Sequence, residues 1–198
     1  MRRALAMAVG LGAVWALCAC APKVETGAKV GNWGFVDGMT VKRDDQAVKN
    51  TDDKEIYLNE RYLLTGYRVA LPNGAYTVTL HFAETYEGIK TVGQRVYSVA
   101  LEGETVLKDF DPFKEAGEQR FAAIVKTFPA RVEDGELTID FAKKVQNTMI
   151  NGIEVFERTG CPFFPRRRAV LRINCGAQQD YTDKAGCLWK KDQEFKAP

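Results

Sequence analysis

Histidine, cysteine and paired carboxylates carry much of the chemistry a protein can do, and this chain is sparing with all three. Its 198 residues include one histidine, His81. Sites built from several imidazoles are therefore excluded. Glu84, Asp109 and Asp111 come nearest to the carboxylate pair that hydrolyses glycosides. Each stands at a strand end, where a carboxylate more often accepts hydrogen bonds that support the fold. Asp44-Asp45 and Asp52-Asp53 lack the ligand spacing of a calcium loop and read as solvated turns. Of the five cysteines, Cys18 and Cys20 lie near the start, leaving Cys161, Cys175 and Cys187. Three cysteines cannot all pair within one chain. In an oxidising compartment Cys175 and Cys187, which share a segment, are the preferred disulfide. No CxxC spacing supports zinc. No catalytic residue, metal or cofactor is expected.

Composition rules out a disordered, collagen-like or polytopic membrane chain. The chain is 45% hydrophobic and 27% charged, with a formal net charge of +2, as befits a globular protein. With 28 Lys+Arg against 26 Asp+Glu, nothing attracts it to nucleic acid. Arg2 and Arg3 precede an apolar run from Ala4 to Leu17, then Cys18-Ala19-Cys20-Ala21-Pro22. A basic start, a short apolar stretch and small residues make a bacterial-type export signal. The apolar run is shorter than the roughly 20 residues needed to span a bilayer. Leu17-Cys18-Ala19-Cys20 resembles a lipobox whose last cysteine, Cys20, would carry lipid and hold the chain to a bilayer. Cys18 fits the middle position imperfectly, so cleavage by an ordinary signal peptidase stays open. Removing residues 1–19 takes Arg2 and Arg3 away and leaves the chain formally neutral. The expected location is the cell envelope, lipid-anchored, facing the periplasm or the exterior.

The elements that must position any site read as short strands. Tyr76, Val78, Leu80 and Phe82 alternate with Ala75, Thr77, Thr79 and His81, the period of a half-buried strand. Pro72-Asn73-Gly74 before it is a turn, in which Asn-Gly tolerates positive φ. Val96, Ser98 and Ala100 alternate with Tyr97, Val99 and Leu101, and Glu102-Gly103 turns the chain into Thr105-Val106-Leu107. Phe121 to Phe128 is another apolar stretch. Asp134-Gly135 leads into Leu137-Thr138-Ile139-Asp140-Phe141, whose odd-numbered residues share a face. Ile150 to Phe156 closes the series. Short helical turns are expected near Glu55–Glu60 and Lys114–Ala116. Strands at this spacing predict an all-β fold, an antiparallel β-sandwich or jelly roll. The segment 158–168, with Arg166-Arg167-Arg168, reads as a solvated linker. Beyond it Val170 to Gly176 is a strand, followed by a polar loop and Trp189. One strand and a loop cannot fold alone.

Several of these motifs together resemble the malectin family of carbohydrate-binding domains. Leu71 to Val78 and Leu80-His81-Phe82-Ala83-Glu84-Thr85-Tyr86 carry the likeness. Asn50 to Asp53 and Tyr57 to Tyr62 stand upstream, and Gly93 to Val99, Val106 to Asp111, Leu137 to Phe141 and Asn151 to Val155 stand downstream, all in the family's order. The resemblance implies a malectin-like sandwich with a body at 30–157, after a tether at 20–29. Arg172 to Gly176, Tyr181-Thr182-Asp183 and Trp189 to Asp192 look like the family's opening strand and loop, here placed last at 169–198. A circular permutation accounts for this most simply. A truncated second domain and a strand donated to a neighbouring chain are the rivals.

A sugar presents C–H ring faces and hydroxyl rims, so its site wants exposed aromatic rings, amides and carboxylates. The resemblance places such a site on loops at one end of the sandwich. It implies Tyr62 and Tyr86 for ring faces, with Asp37, Glu87, Gln146 and Asn147 for hydroxyl rims. Asp37 and Glu87 stand where the best-known member has aromatics, which puts its glucose-disaccharide specificity in doubt and would admit a more polar or cationic ligand. Trp33 or Phe35 could supply a ring near Asp37. The implied partner is an oligo- or polysaccharide. Related ectodomains bind peptides, so a protein partner in an envelope assembly is the alternative, and an apolar patch in place of a tyrosine-lined cleft would favour it.

Overall fold

The computed structural model describes residues 28–159 and 166–197. The expected export signal, Cys18, Cys20, Cys161 and the centre of the expected linker lie outside the described residues. Two sheets face each other. The first contains β1 (Trp33–Val36), β4 (Gly66–Ala70), β6 (Val96–Leu101), β7 (Glu104–Phe110) and β9 (Glu136–Val145), in the order β1-β4-β9-β6-β7. The second contains β5 (Gly74–Phe82), β8 (Ile124–Val132), β11 (Gly152–Thr159), β12 (Arg166–Asn174), β13 (Tyr181–Thr182) and β14 (Leu188–Lys191), in the order β13-β14-β12-β11-β5-β8. A short ribbon of β2 (Met39–Lys42), β3 (Asn59–Tyr62) and β10 (Met149–Ile150) closes one end, in the order β10-β3-β2. Pairing is antiparallel except between β12 and β14. The fold is an all-β, malectin-like antiparallel sandwich.

Alternation explains the core. Val78, Leu80 and Phe82 of β5 meet Tyr97, Val99 and Leu101 of β6, and Leu137, Ile139 and Phe141 of β9, in one buried cluster. Ile153, Val155, Leu171 and Ile173 complete it from β11 and β12. Beyond the half-buried expectation, β5 is covered on both faces, with Thr77, Thr79 and His81 at most 7% exposed. A second cluster near His81 joins Ile56, Tyr57 and Leu58 of helix α1 (Lys54–Leu58) to Trp189. The His81 ring lies edge-on to Trp189 at 5.4 Å and to Tyr57 at 5.8 Å. Its Nε2 lies 3.0 Å from Glu154 and its Nδ1 lies 2.8 Å from the Tyr57 hydroxyl. An ionised Glu154 can only accept, which assigns the proton to Nε2. The lone histidine is a core joint.

Three local expectations change. Neither Asn73 nor Gly74 adopts positive φ. The turn carries the chain from one sheet to the other, so no tight hairpin is needed there. The β6–β7 hairpin does use one, with φ of 52° at Glu102 and 76° at Gly103. The first helical turn ends at Leu58, and Asn59 and Glu60 belong to β3. The described ends of the segment expected to be a linker, 158–159 and 166–168, are strand, since Arg158 pairs with Arg167 and Thr159 with Arg166.

The expected Cys175–Cys187 disulfide is absent and both thiols are free. The register explains why. Ile173 pairs with Lys190 in the parallel β12–β14 ladder, which sets Cys187 beside residue 170. The two cysteines are therefore displaced by five residues along the ladder, about 16 Å, where a disulfide needs Cα atoms within roughly 7 Å. Cys175 is fully buried in the main core, and burial pushes its thiol well above the ordinary range.

Candidate functional site

A cavity of about 290 Å³ opens beside the β2–β3 ribbon. Val41, Arg43, Glu60, Tyr62, Tyr86, Arg95, Gln146 and Asn147 line it. Alternation along β3 turns Glu60 and Tyr62 to the cavity, and β2 contributes Val41 with Arg43 just past its end. The loop leaving β5 brings Tyr86, the approach to β6 brings Arg95, and the β9–β10 connection brings Gln146 and Asn147. Strands distant in sequence thus put both expected tyrosines and both expected amides on one cavity.

The tyrosine rings are held differently. The Tyr62 hydroxyl donates to the Met39 sulfur at 3.7 Å. Tyr86 is 41% exposed and lies over Gly88, where an added Cβ would stand 2.7 Å from its Cζ. A glycine there lets the ring rest on the backbone. Behind the rings lies a buried polar frame. Arg95 donates from Nε to Glu84 at 2.6 Å and from Nη1 to the Asn147 carbonyl at 2.8 Å. Glu84 also accepts from the Tyr86 amide at 2.9 Å. Burial raises the Glu84 carboxyl above its ordinary range, although Arg95 and that amide pull it down. Thr85 donates its hydroxyl to Glu60 and accepts from Arg43 Nε at 2.9 Å. The segment Glu84-Thr85-Tyr86 is therefore fixed to both sides of the cavity.

Asp37 and Glu87 do not line it. Asp37 occupies a turn with φ of 60°, and its carboxylate accepts from the Thr65 hydroxyl at 3.0 Å. Glu87 is exposed in the loop beyond Tyr86. Phe35 offers no free ring, because the Arg61 guanidinium covers it at 3.2 Å. The residues not foreseen are Val41, Arg43, Glu60 and Arg95. Glu60 had a signal, since it stands two residues before Tyr62 on a strand and so shares its face. The acids considered for hydrolysis are all engaged in the fold, Glu84 by Arg95 and the Tyr86 amide. Asp109 pairs with Lys144 at 2.8 Å, and Asp111 caps helix α2 (Pro112–Glu115) through the Lys114 amide. Among the described residues no group of three or more His, Cys, Asp or Glu could hold a metal ion.

The sequence matches the malectin domain over residues 26–163. The chain belongs to the malectin family. Malectin domains are binding modules and not catalysts. Similar proteins include receptor-like protein 4 of Arabidopsis thaliana, 40% identical over 87 residues, covering 43% of this chain and 14% of that one. Malectin-A of Xenopus laevis is 31% identical over 93 residues, covering 46% of this chain and 32% of its own length. This chain thus spans a third or less of these relatives. Among solved structures, a Bacteroides uniformis β-glucuronidase shares 24% identity over 62% of this chain and 14% of its own, with a TM-score of 0.57. The plant receptor-like kinase FER shares 17% over 62% of this chain and 40% of its own, with a TM-score of 0.53. At these identities the structural likeness speaks for the malectin fold alone.

Proposed function

We propose that the chain is a non-catalytic carbohydrate-binding module, held at the cell envelope by lipid on Cys20. One observation carries the reading. Tyr62 and Tyr86 border a single cavity with Gln146 and Asn147, so aromatic faces and amide rims converge where a sugar ring would need them. The export signal and the Leu17-Ala19-Cys20 pattern support the location. The same reading extends to chain order. β12 lies between β11 and β14 within the second sheet, which supports a circular permutation with the family's opening strand placed last.

The test is a glycan array probed with the full chain, with and without calcium, beside Tyr62→Ala and Tyr86→Ala. Binding that falls about tenfold or more in both variants is expected. No binding to any glycan would sink the proposal. A peptide-binding reading is favoured by a different observation, the exposure of Met39 and Leu63 beside Tyr62. FER, a structural neighbour, is known in complex with the plant peptide RALF23. Capture of one stoichiometric protein partner, unaffected by sugars, would decide for that reading.

A further inference from the structure

The cavity carries a charge that its tyrosines do not explain. Two guanidinium groups line it, and they are in different states. Arg95 is 3% exposed and committed, with Glu84 and the Asn147 carbonyl taking its donors. Arg43 is less committed. Its side chain is 23% exposed, its Nε serves Thr85, and its Nη2 makes an ion pair with Glu60 at 3.6 Å, too long for a hydrogen bond. Among the described residues its Nη1 has no hydrogen-bond partner.

Glu60, the one acid lining the cavity, is 2% exposed and already accepts the Thr85 hydroxyl. Asp37 and Glu87, which would repel an anion, lie off the cavity wall. An arginine with one terminal nitrogen unpartnered, beside two aromatic rings, can donate to a carboxylate carried on a sugar ring. We propose that this site takes an acidic glycan, one with a hexuronic acid whose carboxylate accepts from that Arg43 terminal nitrogen while a ring face packs on Tyr62 or Tyr86. The inference rests on the carbohydrate reading and names its ligand class. It also reverses the cationic preference that Asp37 and Glu87 would have given.

Calorimetric titration of the full chain tests it. The probes are hexuronic-acid oligosaccharides of gluco, galacto and manno configuration, each beside its own methyl ester. One acid should bind about 10- to 100-fold more tightly than its ester, the scale of hydrogen bonds to a charged group. Arg43→Gln should abolish that preference. Tyr86→Ala should weaken acid and ester together. Raising the salt concentration should shrink the preference in the unaltered chain, a readout that holds even where the Arg43 variant does not fold. Acid and ester binding equally, or a preference that survives Arg43→Gln, overturns the acidic-glycan assignment and leaves the carbohydrate reading standing. Failure of every acid, ester and neutral glycan to bind overturns both.

Discussion

Replacing Asn151 should dismantle the cavity without touching it. Its side chain is fully buried between β10 and β11. Oδ1 accepts from the Ala83 amide at 2.7 Å, and Nδ2 donates to the carbonyls of Tyr57 at 3.1 Å and Asn59 at 2.7 Å. Ala83 leads into Glu84-Thr85-Tyr86, and Asn59 leads into Glu60-Arg61-Tyr62. One amide therefore sets the spacing of both cavity walls. Asn151→Ala leaves one N–H and two carbonyls without that partner, each costing about 1–3 kcal/mol when buried. Water entering the vacated space and the second lone pair of each carbonyl favour the low end. The sum is about 3–5 kcal/mol, a large share of the roughly 5–15 kcal/mol that holds a domain folded. Urea unfolding, followed by tryptophan fluorescence, should show a lower midpoint at unchanged slope. Asn151→Asp should be no better, because a carboxylate cannot donate to the two carbonyls. A cost for Asn151→Ala below about 1 kcal/mol would refute the amide as the joint.

Two further outcomes follow from the geometry. Gly88→Ala places a methyl 2.7 Å from the Tyr86 Cζ and 3.0 Å from its hydroxyl, and an exposed ring yields more easily than backbone. Stability should stay within about 0.5 kcal/mol while affinity for an array glycan drops about tenfold; unchanged affinity would show that the ring's seat is not used. Glu154 is partly buried, which alone would raise its carboxyl, but bonds from His81 and Arg172 hold it below the ordinary 4.5. A depressed folded-state pKa gives stability present above about pH 4.5 and lost as pH falls through the lowered value. Urea midpoints measured from about pH 6 down to about pH 3 should fall less steeply for Glu154→Gln than for the unaltered chain, and parallel curves would contradict this.

The sandwich was legible because β5, β6 and β9 each write an apolar face at period two. The cover on the outer face of β5 was not, since it is made by α1 and by Trp189 from far along the chain. Tyr62, Tyr86, Gln146 and Asn147 were reachable through motif order. Arg43 and Arg95 were not singled out, because no local pattern reveals that their segments meet at one cavity, while the signal for Glu60, its place two residues before Tyr62, was there to use. Asp37, matched by motif to a site position, stands at a turn with positive φ and off the cavity wall, which no motif order could show. The cysteine pairing failed for a further reason, since nearness in sequence says nothing about stagger along a parallel ladder.

β3 joins the binding cavity to the C-terminal segment by using its two faces for different work. Glu60 and Tyr62 face the cavity, while Arg61 turns away to Asp192 at 2.5 Å, with the Tyr67 hydroxyl and the Gly176 amide on the same carboxylate. Burial lifts the Asp192 carboxyl above its ordinary range even though Arg61 opposes it, so the pair is held by its surroundings as much as by its charges. Gly176, at φ of +83°, brings the loop after β12 directly onto Glu60, where a Cβ would stand 2.5 Å from the Glu60 carbonyl oxygen. β2 divides its faces in the same way. Val41 and Arg43 line the tyrosine cavity, and Thr40 and Lys42 line a second cleft, of about 360 Å³, walled by residues 174 and 176–181. The strand carrying the cavity's acid and one of its rings is thus buttressed from behind by the segment that comes last in the chain. Without Gly176 and Asp192 behind it, β3 would leave Arg61 without its carboxylate partner and the cavity without a fixed wall.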